Sequence, residues 1–127
     1  MVYVDTNILI YLLEDTGAVS AKTADIFELL KSQRHEFASS VLTITEFMAG
    51  TTGGSFEMLQ SIPGLSFHDI DESISVEAAL LQRGSTLRIG DALHLATALS
   101  LNCDILFTND KKFSKIAAKR IMVQTID

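Results

Sequence analysis

The chain is predicted to be a single α/β domain, a five-stranded parallel sheet with helices on both faces, and three observations support this. First, Val2-Tyr3-Val4 is a short apolar run that passes straight into the amphipathic stretch Ile8 to Leu13, as a strand buried on both faces does. Second, strand-like and helix-like segments alternate to the end of the chain. Third, 127 residues without an internal repeat, low-complexity run or linker suit one core, which buries roughly two thirds of the surface the unfolded chain exposes. The domain is expected to span 1–127.

Each element has a local reason. After Asp5, Thr6 or Asn7 is expected to cap a first helix running to about Glu14, closed by Asp15-Thr16-Gly17. Ser20 is the expected cap of a second helix, whose Ala24, Ile26, Phe27, Leu29 and Leu30 recur at helical spacing up to Lys31. Glu36 to Val41 reads as the second strand, and Thr43 to about Gly50 as a helix carrying Glu46. Thr51-Thr52-Gly53-Gly54 breaks the chain. Ser55 begins a short helix through Ser61, and Pro63-Gly64 turns into the third strand, Leu65 to His68. A helix over Glu72 to Gln82 ends at Gly84, and Leu87 to Gly90 is a loop before the helix Asp91 to Leu101. Asp104 to Thr108 is the fourth strand, a basic helical turn leads to Arg120, and Ile121 to Thr125 is the fifth strand.

Ligands of such sheets sit beyond the carboxyl ends of the strands. Asp5 and Asp110 both follow buried strands there, while Glu46 and Asp91 are expected in the first turns of their helices. Gathering carboxylates raises their pKa values through repulsion, and a cation relieves that cost. Mg²⁺ and Mn²⁺ prefer oxygen ligands, and Mg²⁺ uses one or two carboxylates together with water and substrate phosphates. The chemistry that follows is phosphodiester hydrolysis, with water attacking in line and metal stabilising the charge on phosphorus and on the leaving oxygen.

Taken singly, three of the acids have simpler explanations. Glu46 follows Thr43 by three, the capping-box pattern; Asp91 suits a helix start; Asp110 suits a turn after Asn109. Asp5 has few structural duties between a strand and an apolar helix, so the metal reading rests on the four together.

Composition narrows the remaining classes. The net charge of −6 is not that of a general nucleic-acid binder, yet Lys111, Lys112, Lys115, Lys119 and Arg120 cluster after Asp110, either as a solvated helix face or as a phosphate-attracting patch. Arg88, three before Asp91, either contacts RNA phosphate or forms an ion pair. Apolar runs fall short of the ~20 residues of a membrane span and no basic leader opens the chain, so the expected location is the cytoplasm. Cys103 is expected to be a buried, reduced thiol, and with one cysteine no zinc site is expected. His94, one turn after Asp91, is within reach of the site, but a half-buried or surface position is the expectation.

The ordered set V-D-T-N at 4–7, T-I-T-E-F at 43–47, G-D-A-L-H-L-A-T-A at 90–98 and F-T-N-D-K-K-F at 107–113 resembles the PIN domain family, and within it the ribonuclease toxins of VapBC toxin-antitoxin modules. The resemblance implies that Asp5, Glu46, Asp91 and Asp110 are a catalytic quartet binding Mg²⁺ or Mn²⁺ for endoribonuclease cleavage. It places Thr6 and Thr108 behind the acids as supporting hydroxyls; Arg88, Lys111 and Lys112 are candidate RNA contacts from their charge and position, with the ion pair and the solvated face as the alternatives. It also implies a homodimer and a cognate antitoxin lying over the active site. The compact stretch Thr51 to Gly64 is shorter than the helical region of many relatives. The competing reading is a non-catalytic PIN scaffold that binds RNA or protein. Phospho-acceptor receivers and Asp-x-Asp phosphatases fit less well, because Thr6 and Asn7 follow Asp5 where those chemistries need acids.

Overall fold

The computed structural model describes residues 1–14, 17–117 and 120–127. Its elements are β1 (Val2–Val4), α1 (Thr6–Leu13), α2 (Ala18–Ser32), β2 (Phe37–Ser40), α3 (Val41–Gly50), α4 (Phe56–Gln60), β3 (Leu65–His68), α5 (Glu72–Gln82), α6 (Ile89–Ser100), β4 (Ile105–Phe107), α7 (Lys112–Ala117) and β5 (Met122–Gln124). The strands form one parallel sheet in the order β3-β2-β1-β4-β5, as expected. The chain runs outward from β1 through β2 to β3 and then crosses to β4. The crevice between β1 and β4 is therefore the topological switch point, where such sheets bind ligands.

Alternation along the strands divides the core between the two faces. Val2, Val4, Phe37 and Phe107 share one face with Ile8 and Leu9 of α1, Phe27 and Leu30 of α2, Phe47 of α3 and Leu59 of α4. Phe27 stacks on Phe37 with ring centroids 4.1 Å apart. Tyr3, Ala38 and Leu106 point to the other face, against Leu95 and Ala98 of α6 and Phe113 and Ala117 of α7. Ala92 and Ala96 of α6 lie against Ile74 and Ala78 of α5, so small side chains on α6 let it approach its neighbours closely. No described helix is long and apolar enough to cross a membrane.

Several boundaries differ from the sequence expectation. Asp5, not Thr6 or Asn7, caps α1, its carboxylate accepting from the Thr6 N–H at 2.8 Å. The expected closure of that helix at Asp15-Thr16 lies outside the described residues. Gly17, with φ of 78°, precedes α2, and the Ser20 hydroxyl donates to the Glu14 carbonyl instead of capping. Helix α3 starts at Val41, directly after the strand, so Glu46 stands in its second turn and Thr43 is no capping residue. Helix α6 starts at Ile89 and takes in residues expected to be loop, while Asp91 stays in its first turn. Ser55 and Asp71 cap α4 and α5, accepting from the Met58 and Ile74 N–H groups.

Gly54 explains the compactness of the 51–64 stretch. A Cβ there would lie 2.0 Å from Thr51 Oγ1 and 2.7 Å from Phe47 Cε1, while the Thr51 hydroxyl is held by the Phe47 carbonyl at 2.7 Å. Gly54→Ala is expected to cost about 1–3 kcal/mol through overpacking. The measure is the denaturant midpoint at unchanged slope; an unmoved midpoint would mean that the 51–54 turn relaxes freely.

Candidate active site

The site begins with the register of β1 and β4. Val4 pairs with Phe107, so Asp5 and Thr108 leave the sheet side by side, and the Asp5 N–H donates to the Phe107 carbonyl at 2.9 Å. The Thr108 hydroxyl donates to Asp5 Oδ2 at 2.7 Å and accepts the Asp110 N–H at 3.1 Å. With Thr6 N–H on Oδ1, both Asp5 oxygens are held, and the residue is only 6% exposed.

Helices α3 and α6 supply the opposite wall. The Thr6 hydroxyl donates to Glu46 Oε1 at 2.7 Å and lies 3.1 Å from Thr43 Oγ1, which in turn is 2.6 Å from Ser39 Oγ. Ser39 donates to the Val4 carbonyl at 2.9 Å, so this chain of hydroxyls returns to β1.

His94 stands at the centre, 1% exposed, contrary to the expectation of a half-buried or surface position. Its Nε2 is 2.6 Å from Glu46 Oε1 and 3.8 Å from Asp5 Oδ1, and its Nδ1 is 2.7 Å from the Tyr3 hydroxyl. The spacing of three from Asp91 puts both residues on one face of α6, the signal that pointed here. Tyr3 gave no such signal, because its partner lies on a distant element.

The charges of this cluster set its protonation. Burial pushes Asp5 upward, against the opposing charge of His94 and the hydrogen bond from Thr108; the Asp91 carboxylate adds to the rise. For His94, burial favours the neutral ring, but the Glu46 hydrogen bond and the charges of Asp5, Glu46 and Asp91 outweigh it and the pKa rises. Partial burial raises Glu46, yet its bonds to His94 and Thr6 and the His94 charge hold it below the usual carboxylate range. Burial raises the Tyr3 phenol as well, keeping it protonated. The neighbouring charges and hydrogen bonds thus favour the charged ring of His94 and the charged carboxylate of Glu46, while burial pulls Asp5 the other way, towards its neutral form.

The structure thus joins Asp5, Glu46 and His94, with Asp91 near enough for its charge to act on Asp5 and His94. It does not draw all four acids into direct contact. Asp110 reaches the cluster through Thr108, while its own carboxylate accepts the Lys112 N–H at 3.0 Å and lies 4.0 Å from Lys112 Nζ. Asp91 Oδ2 faces the Arg88 N–H at 3.4 Å. Among the described residues no three His, Cys, Asp or Glu side chains form a ready-made metal cage. Repulsion explains the spread: each carboxylate leans on its nearest donor. The donor set is nevertheless all oxygen on the acids, one of them buried and pushed upward, and that set suits a hard divalent cation using one or two carboxylates. Cys103 is buried as expected, its thiol pushed up to about 11 by burial.

The PIN domain is the family whose description matches this sequence, over residues 2–119. The chain belongs to the PIN domain family. No curated protein matches it significantly. Several solved structures share the PIN fold along nearly the whole length of both chains. One is a toxin-antitoxin complex from Klebsiella pneumoniae, 26% identical, covering 100% of this chain and 98% of that one, with a TM-score of 0.72. VapBC2 from Rickettsia felis, bound to a DNA fragment from the promoter, is 23% identical with 98% of each chain covered and a TM-score of 0.72. VapC20 from Mycobacterium tuberculosis, a Sarcin-Ricin loop cleaving toxin, is 16% identical, with 98% of this chain and 99% of that chain covered and a TM-score of 0.71.

Proposed function

We propose that this PIN domain is a metal-dependent endoribonuclease that hydrolyses RNA phosphodiester bonds, and that it is the toxin of a type II toxin-antitoxin pair acting in the cytoplasm. The observation that carries the reading is Asp5: a buried carboxylate at the β1/β4 switch point, held through both oxygens and facing Glu46 and His94. Membership of the PIN family and the likeness to toxin-antitoxin complexes support the rest.

The residues divide the work. Asp5, Glu46, Asp91 and Asp110 would hold Mg²⁺ or Mn²⁺. When bound, the metal lowers the pKa of attacking water and neutralises charge growing on the phosphate. Thr6 and Thr108 fix the orientation of Glu46 and Asp5, so these carboxylates need no reorganisation when substrate arrives. His94, steadied by Tyr3, keeps Glu46 and Asp5 from repelling each other. An antitoxin segment over the acids would silence the site. A homodimer would cover the groove of about 410 Å³ between α5 and α6, where Ile89 is exposed.

The test is a mixed RNA pool incubated with protein stripped of any copurified partner, with Mg²⁺ or Mn²⁺, against EDTA and an Asp91→Asn control. Cleavage is expected with metal and in neither control. Equal cutting by Asp91→Asn, or cutting that survives EDTA, would sink the assignment. The second reading, a PIN scaffold that binds without cutting, has one observation in its favour: the His94 ring already stands between Asp5 and Glu46, in contact with both. A folded protein that takes up no metal and cuts nothing would establish it.

A further inference from the structure

A cleft of about 440 Å³ lies between the loop joining α5 to α6 and the start of α7. One wall is Gly84, Ser85 and Thr86; the other carries Lys111, Lys112 and Lys115, with Ile116 between them and the core. Gly84 has φ of 71°, so the turn itself calls for glycine, and that wall presents backbone and small hydroxyl residues without bulky side chains. Among the described residues no carboxylate lines the cleft. In a chain of net charge −6, three of its ten Lys and Arg residues therefore face one opening. All three lysines are exposed, and among the described residues Lys111 and Lys115 form no ion pair. Lys112 lies 4.0 Å from Asp110 Oδ2, so it belongs both to the cleft and to the acidic edge.

We propose that this cleft is a backbone subsite for single-stranded RNA, holding phosphates next to the bond to be cut; its place in catalysis rests on the nuclease reading above. Ammonium groups attract phosphate as point charges, and a hydroxyl such as that of Thr86 can hydrogen-bond a phosphate oxygen; the Ser85 hydroxyl instead donates to the Gln82 carbonyl at 3.2 Å and shapes the turn. In a chain of net charge −6, a local basic opening that adjoins Asp110 is where a phosphate backbone is favoured. The same lysines would also attract an acidic protein segment. The contact between Lys112 and Asp110 favours RNA, because it puts the charge beside the proposed reaction centre.

The test measures binding of a labelled single-stranded RNA of mixed sequence by fluorescence anisotropy across a salt series, in EDTA so that nothing is cut. Lys111→Gln/Lys115→Gln is compared with wild type and with Lys22→Gln/Lys31→Gln, a charge-matched control on α2. The cleft variant should bind more weakly, with a salt slope shallower by about 0.7 for each phosphate it no longer neutralises, and in cleavage its deficit should fall on KM. The control should follow wild type. Equal affinities and slopes in the two double variants would overturn the subsite, as would wild type binding no RNA. Loss of poly-glutamate binding without loss of RNA binding would overturn it in favour of a protein segment. Cutting that ignores the cleft lysines leaves the nuclease and removes the subsite; lysine-dependent RNA binding without cutting does the reverse.

Discussion

Asp5→Asn is expected to lower RNA cleavage by about 10²-fold or more, the scale on which removing one preorganised electrostatic group acts, while the thermal midpoint stays level or rises. Asparagine is as good a helix cap as aspartate, so the bond from the Thr6 N–H to residue 5 can persist. The charge is what disappears. Burial places the Asp5 pKa above its unfolded value. A carboxyl shifted in that direction destabilises the fold when ionised, so the gain from asparagine is absent in acid, grows as pH rises through the unfolded pKa and is complete above the folded one. Activity and melting curves of the same preparations, at neutral pH and near pH 4, check both parts. An unfolded Asp5→Asn protein would mean that the carboxylate has a structural duty, and unchanged cleavage would remove it from the reaction.

His94→Ala has the opposite signature. The side chain is almost fully enclosed and bonds Tyr3 on one nitrogen and Glu46 on the other. Its removal leaves the Tyr3 hydroxyl buried without that partner, costing about 1–3 kcal/mol, and opens a cavity beside it. The Glu46 end contributes less, because that side chain is 39% exposed and water screens it. A loss of about 3 kcal/mol is a large share of the 5–15 kcal/mol typical of whole domains. Denaturant unfolding should show it, and Mn²⁺ should restore more stability to His94→Ala than it adds to wild type, since a cation replaces the missing positive charge between Asp5 and Glu46. A variant as stable as wild type would mean that water fills the gap and that His94 is dispensable to the site.

The residue string by itself determined the parallel sheet and the succession of its elements. Apolar runs of three or four residues, the Pro63-Gly64 turn, the cap at Ser55 and the stop at Gly84 are short-range features, so local pattern was enough to place β1, β3, α4 and α5. It also put Asp5 at a strand end, because the change from Val2-Tyr3-Val4 to a carboxylate is visible in the sequence. Helix starts were less legible. Val41-Leu42 and Ile89-Gly90 suit strand, loop or helix equally, and the sheet's end at Ser40 is what committed the first pair to α3.

Tertiary structure alone decided how the acids are used. Glu46 turns to His94 and Thr6, Asp110 leans toward Lys112, and Thr108 ties Asp5 to the Asp110 backbone. The bonds of Glu46 to His94 and Thr6 and of Thr108 to Asp5 join elements far apart in the chain, whereas those of Asp110 are local; no local periodicity records which donor a carboxylate will find once like charges are packed together. His94 shows this most clearly. A histidine one turn after Asp91 reads as half-buried or surface, and only the arrival of Tyr3 from β1 and Glu46 from α3 makes it the buried centre of the acidic cluster.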